Sequence, residues 1–229
     1  GDRETAARLF ARVSPASPFH RAARFYEGLS EVRLHHAQRA IDAFRTVIDA
    51  SPEGDRYRDL ATLALARLYY AIANDRHAAS DEARANALLA QAIEAWRRVP
   101  LSSEHFLDAF FEESWAIYLA GEDERALGHV FGLLSPFFED HEHPEARVVR
   151  GTIHFEHCLF DETESDVDDF HARYDAPLTT LARLDGLDDE QALALYESRA
   201  ASLDPVSRRL VGDSILDRDS ARRADHAHH

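Results

Sequence analysis

Three side chains with ligand and nucleophile chemistry fall within five residues, His154, His157 and Cys158 in the run HFEHC. Spacings of three and four allow all three to share one face of a helix, where imidazole nitrogens and a thiolate suit zinc or another soft divalent metal. His141 and His143, in HEH just upstream, extend the set. A metal-dependent enzyme is the sharpest reading of this cluster. The plainer reading is a helix that packs Cys158 inward and leaves its histidines at the surface, because 14 histidines make usable pairs common. A nucleophilic Cys158 with His154 as base lacks the third group that would orient the imidazole. We therefore expect no catalysis, no resident metal and no cofactor, with His154, His157 and Cys158 as the ligands should a metal bind.

Other chemistry is sparser. The acidic run DETESDVDD, residues 161–169, offers carboxylates for calcium or a basic peptide, but it has neither the glycine nor the closing glutamate of an EF-hand loop and reads as a solvated helix face. GxSxG, HExxH and glycine-rich phosphate loops are absent. All 26 basic residues are Arg, so a phosphate-loop lysine, a Schiff base and a kinase-type Lys–Glu pair are excluded outright. The formal charge of −16 disfavours nucleic acid and anionic lipid as partners and leaves a basic partner open. The most apolar stretch, LATLALARLYYAIA at residues 60–73, is interrupted by Arg67 and too short to cross a bilayer.

The elements that carry these residues announce themselves by repetition. Ala6, Phe10, Val13 and Pro18 recur as Ala40, Phe44, Val47 and Pro52, each pair 34 residues apart. A period of that length is expected of stacked helix-turn-helix units, each with a small residue where two backbones approach. Counting the N-terminal half as the first, Gly28 and Ala40 take the small sites of the second unit, Ala66 and Ala92 of the third, Ser114 and Ala126 of the fourth, and Gly151 and Thr163 of a degenerate fifth with Phe155 and Phe160. An insertion, NDRHAASDEARA, either lengthens the helices of the 56–100 unit or projects as a polar loop. All eight prolines, Pro177 and Pro205 included, fall at expected boundaries. An all-α protein follows, with a half repeat over 1–18, units over 19–52, 56–100, 104–136 and 144–174, a C-terminal helical cap over 177–223 with Asp188 as an N-cap, and a disordered His-rich tail over 224–229. The half repeat predicts that residues upstream of Gly1, or another chain, complete the first unit.

In these residues the chain resembles the tetratricopeptide repeat family over positions 5 to 174, and residues 135–177 are similar to bacterial cell-envelope repeat proteins. The resemblance implies a right-handed α-solenoid whose concave wall is made by the first helix of each pair. Carried over position by position, that wall comprises Phe25, Leu29 and Arg33, then Leu63, Arg67 and Tyr70, then Phe111, Trp115 and Tyr118, then Val148, Thr152 and Phe155. It lacks the Lys and Asn of a carboxylate clamp. The expected function is a non-catalytic scaffold that binds a peptide or helix of a partner protein, with Arg33 and Arg67 as anchors. The alternative is a structural subunit of a larger bacterial envelope or secretion assembly that uses edges and helical ends. A periplasmic or outer-membrane-associated location is the expectation from the same resemblance.

Overall fold

A computed structural model describes residues 2–138, 143–184, 186–203, 207–212 and 214. Among these residues the chain is helical throughout, without a strand. It divides into two compact units, Gly1–Leu133 and Leu134–His229.

The N-terminal unit contains α1 (Arg3–Ala11), α2 (His20–Arg33), α3 (Ala37–Ala50), α4 (Arg56–Ala78), α5 (Glu82–Trp96), α6 (Phe106–Leu119) and α7 (Asp123–Leu133). Within this unit each helix packs on the next, and α4 also lies on α2. The small residues are where the repeat places them, with Ala40, Ala66, Ala92, Ser114 and Ala126 fully buried beside Phe44, Val47, Val130 and Ile117. Helix starts and stops are local chemistry. Asp55 Oδ1 accepts from the Tyr57 and Arg58 amides at 3.0 and 3.3 Å and opens α4, while Pro52 follows the end of α3.

The C-terminal unit contains a 3-10 turn (Pro136–Phe138), α8 (Pro144–Glu156), α9 (Phe160–Leu184), α10 (Asp189–Arg199) and a helical stretch over 207–212. Asp188 caps α10 in a reciprocal box, its Oδ1 accepting from the Gln191 amide at 2.8 Å. Leu184, Ala192 and Val211 form a small separate core with Leu181, Leu187, Leu195 and Tyr196 around it. Pro205, His141 and the tail over 224–229 lie outside the described residues, as does the cap beyond residue 214.

One boundary is corrected. Pro177 does not end a helix: α9 runs through it. An interior proline forfeits one ladder bond and crowds the preceding turn, at about 3 kcal/mol or more. Burial of Tyr174, Pro177 and Leu184 along one side of the same helix offsets that cost. The expected boundary at Pro177 therefore lies inside one continuous helix.

Four hairpin turns share one backbone. His35, Ser80, Gly121 and Cys158 each adopt positive φ, at 59, 60, 76 and 59°. The next residue in each case donates its amide to a carbonyl five residues back: His36 to Glu31, Asp81 to Arg76, Glu122 to Ile117 and Leu159 to His154, at 2.9 to 3.1 Å. This six-to-one bond marks a Schellman motif, in which a left-handed residue satisfies the orphan carbonyls of the first helix. The turn also resolves the insertion. From small site to left-handed residue is seven residues in three hairpins and 14 in the α4–α5 hairpin, and from there to the second small site is five residues in three and 12 in the fourth. Each helix has gained seven residues, close to two full turns, so both apolar faces stay in register. Longer helices, not a projecting loop, absorb the extra sequence.

Three of the four left-handed positions carry a side chain whose Cβ is crowded there. Cys158 is exposed and contributes no packing. Cys158→Gly is expected to raise stability by about 0.5 to 1 kcal/mol, read from urea midpoints; an unchanged or lower midpoint contradicts it.

Candidate interaction surface

Within the N-terminal unit the expected wall is largely committed to internal contacts. Phe25 and Leu63 are interior, 7 and 3 % exposed, and the Phe25 ring packs between Phe44 and Tyr57, both at 6.0 Å. Neither offers a surface to a partner, because large apolar side chains at the inner edge of a helix pair gain more from burial. Leu29 is half-buried and Arg33 exposed.

Arg67 is not a free anchor. Its Nε donates to both carboxylate oxygens of Glu112 at 2.9 Å, and NH2 donates to Oε1 at 2.5 Å. That hydrogen bond, followed by the charges of Glu112 and Asp108 against a burial penalty, raises the Arg67 pKa further. Glu112 Oε2 also accepts from Trp96 Nε1 at 2.9 Å. Tyr70, Phe111, Trp115 and Tyr118 are half-buried. Trp115 Nε1 donates to the Tyr70 hydroxyl at 2.8 Å, and the Tyr70 ring lies 5.9 Å from Trp96 and the Trp115 ring 5.8 Å from Tyr118. Arg67 to Glu112 and Tyr70 to Trp115 are both separations of 45 residues. Equivalent sites on α4 and α6, such as Leu63 and Phe111, lie 48 residues apart, so the repeat itself did not single out Glu112 as the partner of Arg67. Tyr70→Phe leaves a half-buried indole donor unpaired and should cost about 1 kcal/mol by urea unfolding; no loss would show that water replaces the hydroxyl.

A second polar cluster lies where α5, α6 and α7 meet. Glu113 is 4 % exposed, and its Oε1 accepts from Arg97 Nε at 2.7 Å with Arg125 NH2 at 3.5 Å. His129 Nδ1 stands 4.0 Å from the other oxygen, its ring stacked 4.4 Å from Phe110. Burial raises the Glu113 pKa and lowers that of His129. These groups tie three helices together.

In the C-terminal unit the HFEHC residues part company. Helix α8 ends at Glu156 and His157 is its C-cap. Cys158 then turns left-handed and is exposed. The three therefore do not share a helical face, and Cys158 is not packed. His154 is the most enclosed of the three, and partly buried. Its Nδ1 meets Asp166 Oδ2 at 2.8 Å, and Asp166 also receives Arg150 NH2 at 2.5 Å. The acidic run is thus not wholly a solvated face, since Asp166 is 6 % exposed. Among the described residues no group of three His, Cys, Asp or Glu side chains converges to hold a metal ion.

Beside this ion pair α8 and α9 open a recess of about 420 Å³. Val148, Thr152 and Phe155, all expected wall positions, line it from α8, and Val167 and Phe170 face them from α9. Phe155 and Phe160 do not enter a core. Both are 59 % exposed, set edge to face at 5.9 Å. Gly151 forms part of the recess wall, and a Cβ there would come no closer than 3.5 Å to another residue's side chain. With apolar walls and a charged pair already satisfied, the recess is suited to holding apolar side chains rather than to proton or metal chemistry. No family model matches the chain, and no curated protein or solved structure matches it.

Proposed function

We propose that the chain is a non-catalytic interaction scaffold, a stack of tetratricopeptide-like helix hairpins that holds a peptide or helical segment of a partner protein. One observation carries the reading: the recess of about 420 Å³ between α8 and α9, whose α8 side is made by Val148, Thr152 and Phe155. Around it Val148, Phe155, Phe160 and Val167 are each about half exposed or more, and contiguous apolar surface of this kind is typical of a binding site. Solenoid stacking of the hairpins is part of the proposal, supported by the shared turn geometry at His35, Ser80, Gly121 and Cys158. The net charge of −16 favours a protein over a nucleic-acid partner.

The test is crosslinking and capture from the source organism with the wild-type chain and Phe155→Asp. Because Phe155 is exposed, the variant should melt as the wild type does and lose the captured partner. An identical captured set would overturn the reading.

A further inference from the structure

In the N-terminal unit two hairpins meet a further helix: α4 packs on both α2 and α3, and α6 packs on α5. Among the described residues of the C-terminal unit, α9 is the one helix packed extensively along α8, and α10 with 207–212 gathers instead around the far end of α9 at Leu184. The α8–α9 hairpin thus presents the kind of face that elsewhere in this chain receives a helix, and the recess lies in it.

The exposed charged side chains beside the recess on the α9 flank are acidic. On α9 the lining residues Thr163, Val167, Phe170 and His171 follow helical spacing, and Glu164 and Asp168 lie on the next stripe round the helix. Glu164 and Asp168 are exposed. On α8, Arg150 is spent on Asp166 and on Asp169, at 2.5 and 3.5 Å. Arg147 lines the recess from α8 and keeps a buried Nε without a hydrogen-bond partner.

From these observations we infer that the α8–α9 face docks one amphipathic helix of a partner protein, its apolar stripe in the recess and its flank rich in Arg or Lys against Glu164 and Asp168. This rests on the scaffold reading and narrows it to a basic helical partner at this hairpin.

A displayed library of helical peptides about four turns long tests it, with apolar core positions fixed and flanks randomised over Arg, Lys, Glu, Asp and Ser. Selected on the full chain, binders should carry net positive flanks, bind at least about tenfold more weakly when their flanks are exchanged for Glu, and weaken with salt. Val167→Asp, at a half-exposed position, should abolish binding while leaving the thermal melt unchanged. Glu164→Lys with Asp168→Lys should reverse the flank preference. Failure to enrich any peptide, or binding indifferent to Val167→Asp, overturns docking at this face. Acidic or neutral binders that still need Val167 overturn the basic partner alone. The broader scaffold reading falls separately, if Phe155→Asp leaves partner capture intact.

Discussion

Gly28→Ala is expected to destabilise the chain by about 1–3 kcal/mol, against the usual sign for an interior helical glycine. Ordinarily that change gains about 0.8 to 1 kcal/mol, because alanine restricts the unfolded backbone and suits a helix. Gly28, however, is where α2 meets α3. A Cβ built there would fall 2.5, 2.7 and 2.9 Å from three atoms of the Phe44 ring. Real Cβ atoms do not approach so closely, and the Phe44 ring cannot step aside, since it is fully buried with Phe25 6.0 Å away. The helices must part or the ring must leave its rotamer. Gly128, on α7, is the control: nothing stands within 4 Å of its Cβ position, so Gly128→Ala should stabilise by about 1 kcal/mol. Urea unfolding of both variants decides the matter. Adding Phe44→Leu to Gly28→Ala should recover part of the loss, with a coupling of about 0.5 to 3 kcal/mol. A Gly28→Ala midpoint that rises as Gly128→Ala does would mean that the hairpin is not packed at this distance.

That contrast marks what could be read from residues alone. The period of 34 residues and the small sites Gly28, Ala40, Ala66, Ala92, Ser114 and Ala126 describe backbone approach, which depends on side-chain size and is written locally. Pro177 misled because a proline's local cost was weighed without the burial that offsets it. Cys158 misled in the opposite direction. It occupies the slot that Gly121 fills one hairpin earlier, and a left-handed turn residue is exposed more readily than packed. That comparison was available in the sequence. The ion pairs were not: Arg67 with Glu112, Arg97 with Glu113 and Arg150 with Asp166 join different helices, and composition offers many equivalent partners for each arginine. The α8 wall residues Val148, Thr152 and Phe155 line a recess, while Phe25 and Leu63, chosen by the same rule, are interior. The difference is whether another helix lies over the pair, a property of the fold and not of the stripe.

The cluster around Glu113 leads to the last expectation, in which burial and pairing oppose each other. Burial is the largest influence on this carboxyl and lifts its pKa above the ordinary 4.5; the hydrogen bond and charge of Arg97 pull it back, and Glu94 adds to the rise. The folded chain therefore holds this proton more tightly than the unfolded chain does. Stability from Glu113 is fully present below pH 4.5 and is lost as pH rises through the folded-state value. His129 acts in the other direction. Burial and then the Arg97 charge lower its pKa below 6.5, against a hydrogen bond to the Phe110 backbone. Its contribution is present above 6.5 and lost as pH falls through the lowered value. Glu113→Gln keeps the shape and removes the titration, so the variant should gain on the wild type as pH rises from about 4 to about 8 and lie within about 1 kcal/mol of it near neutrality. Glu113→Ala instead removes the acceptor that Arg97 and Arg125 share and leaves a void, for a loss of about 2–4 kcal/mol. His129→Gln should flatten the acid side alone. Urea unfolding at each pH separates the three variants, and a Glu113→Gln variant that falls behind the wild type as pH rises would mean that the Arg97 pair, not burial, governs this site.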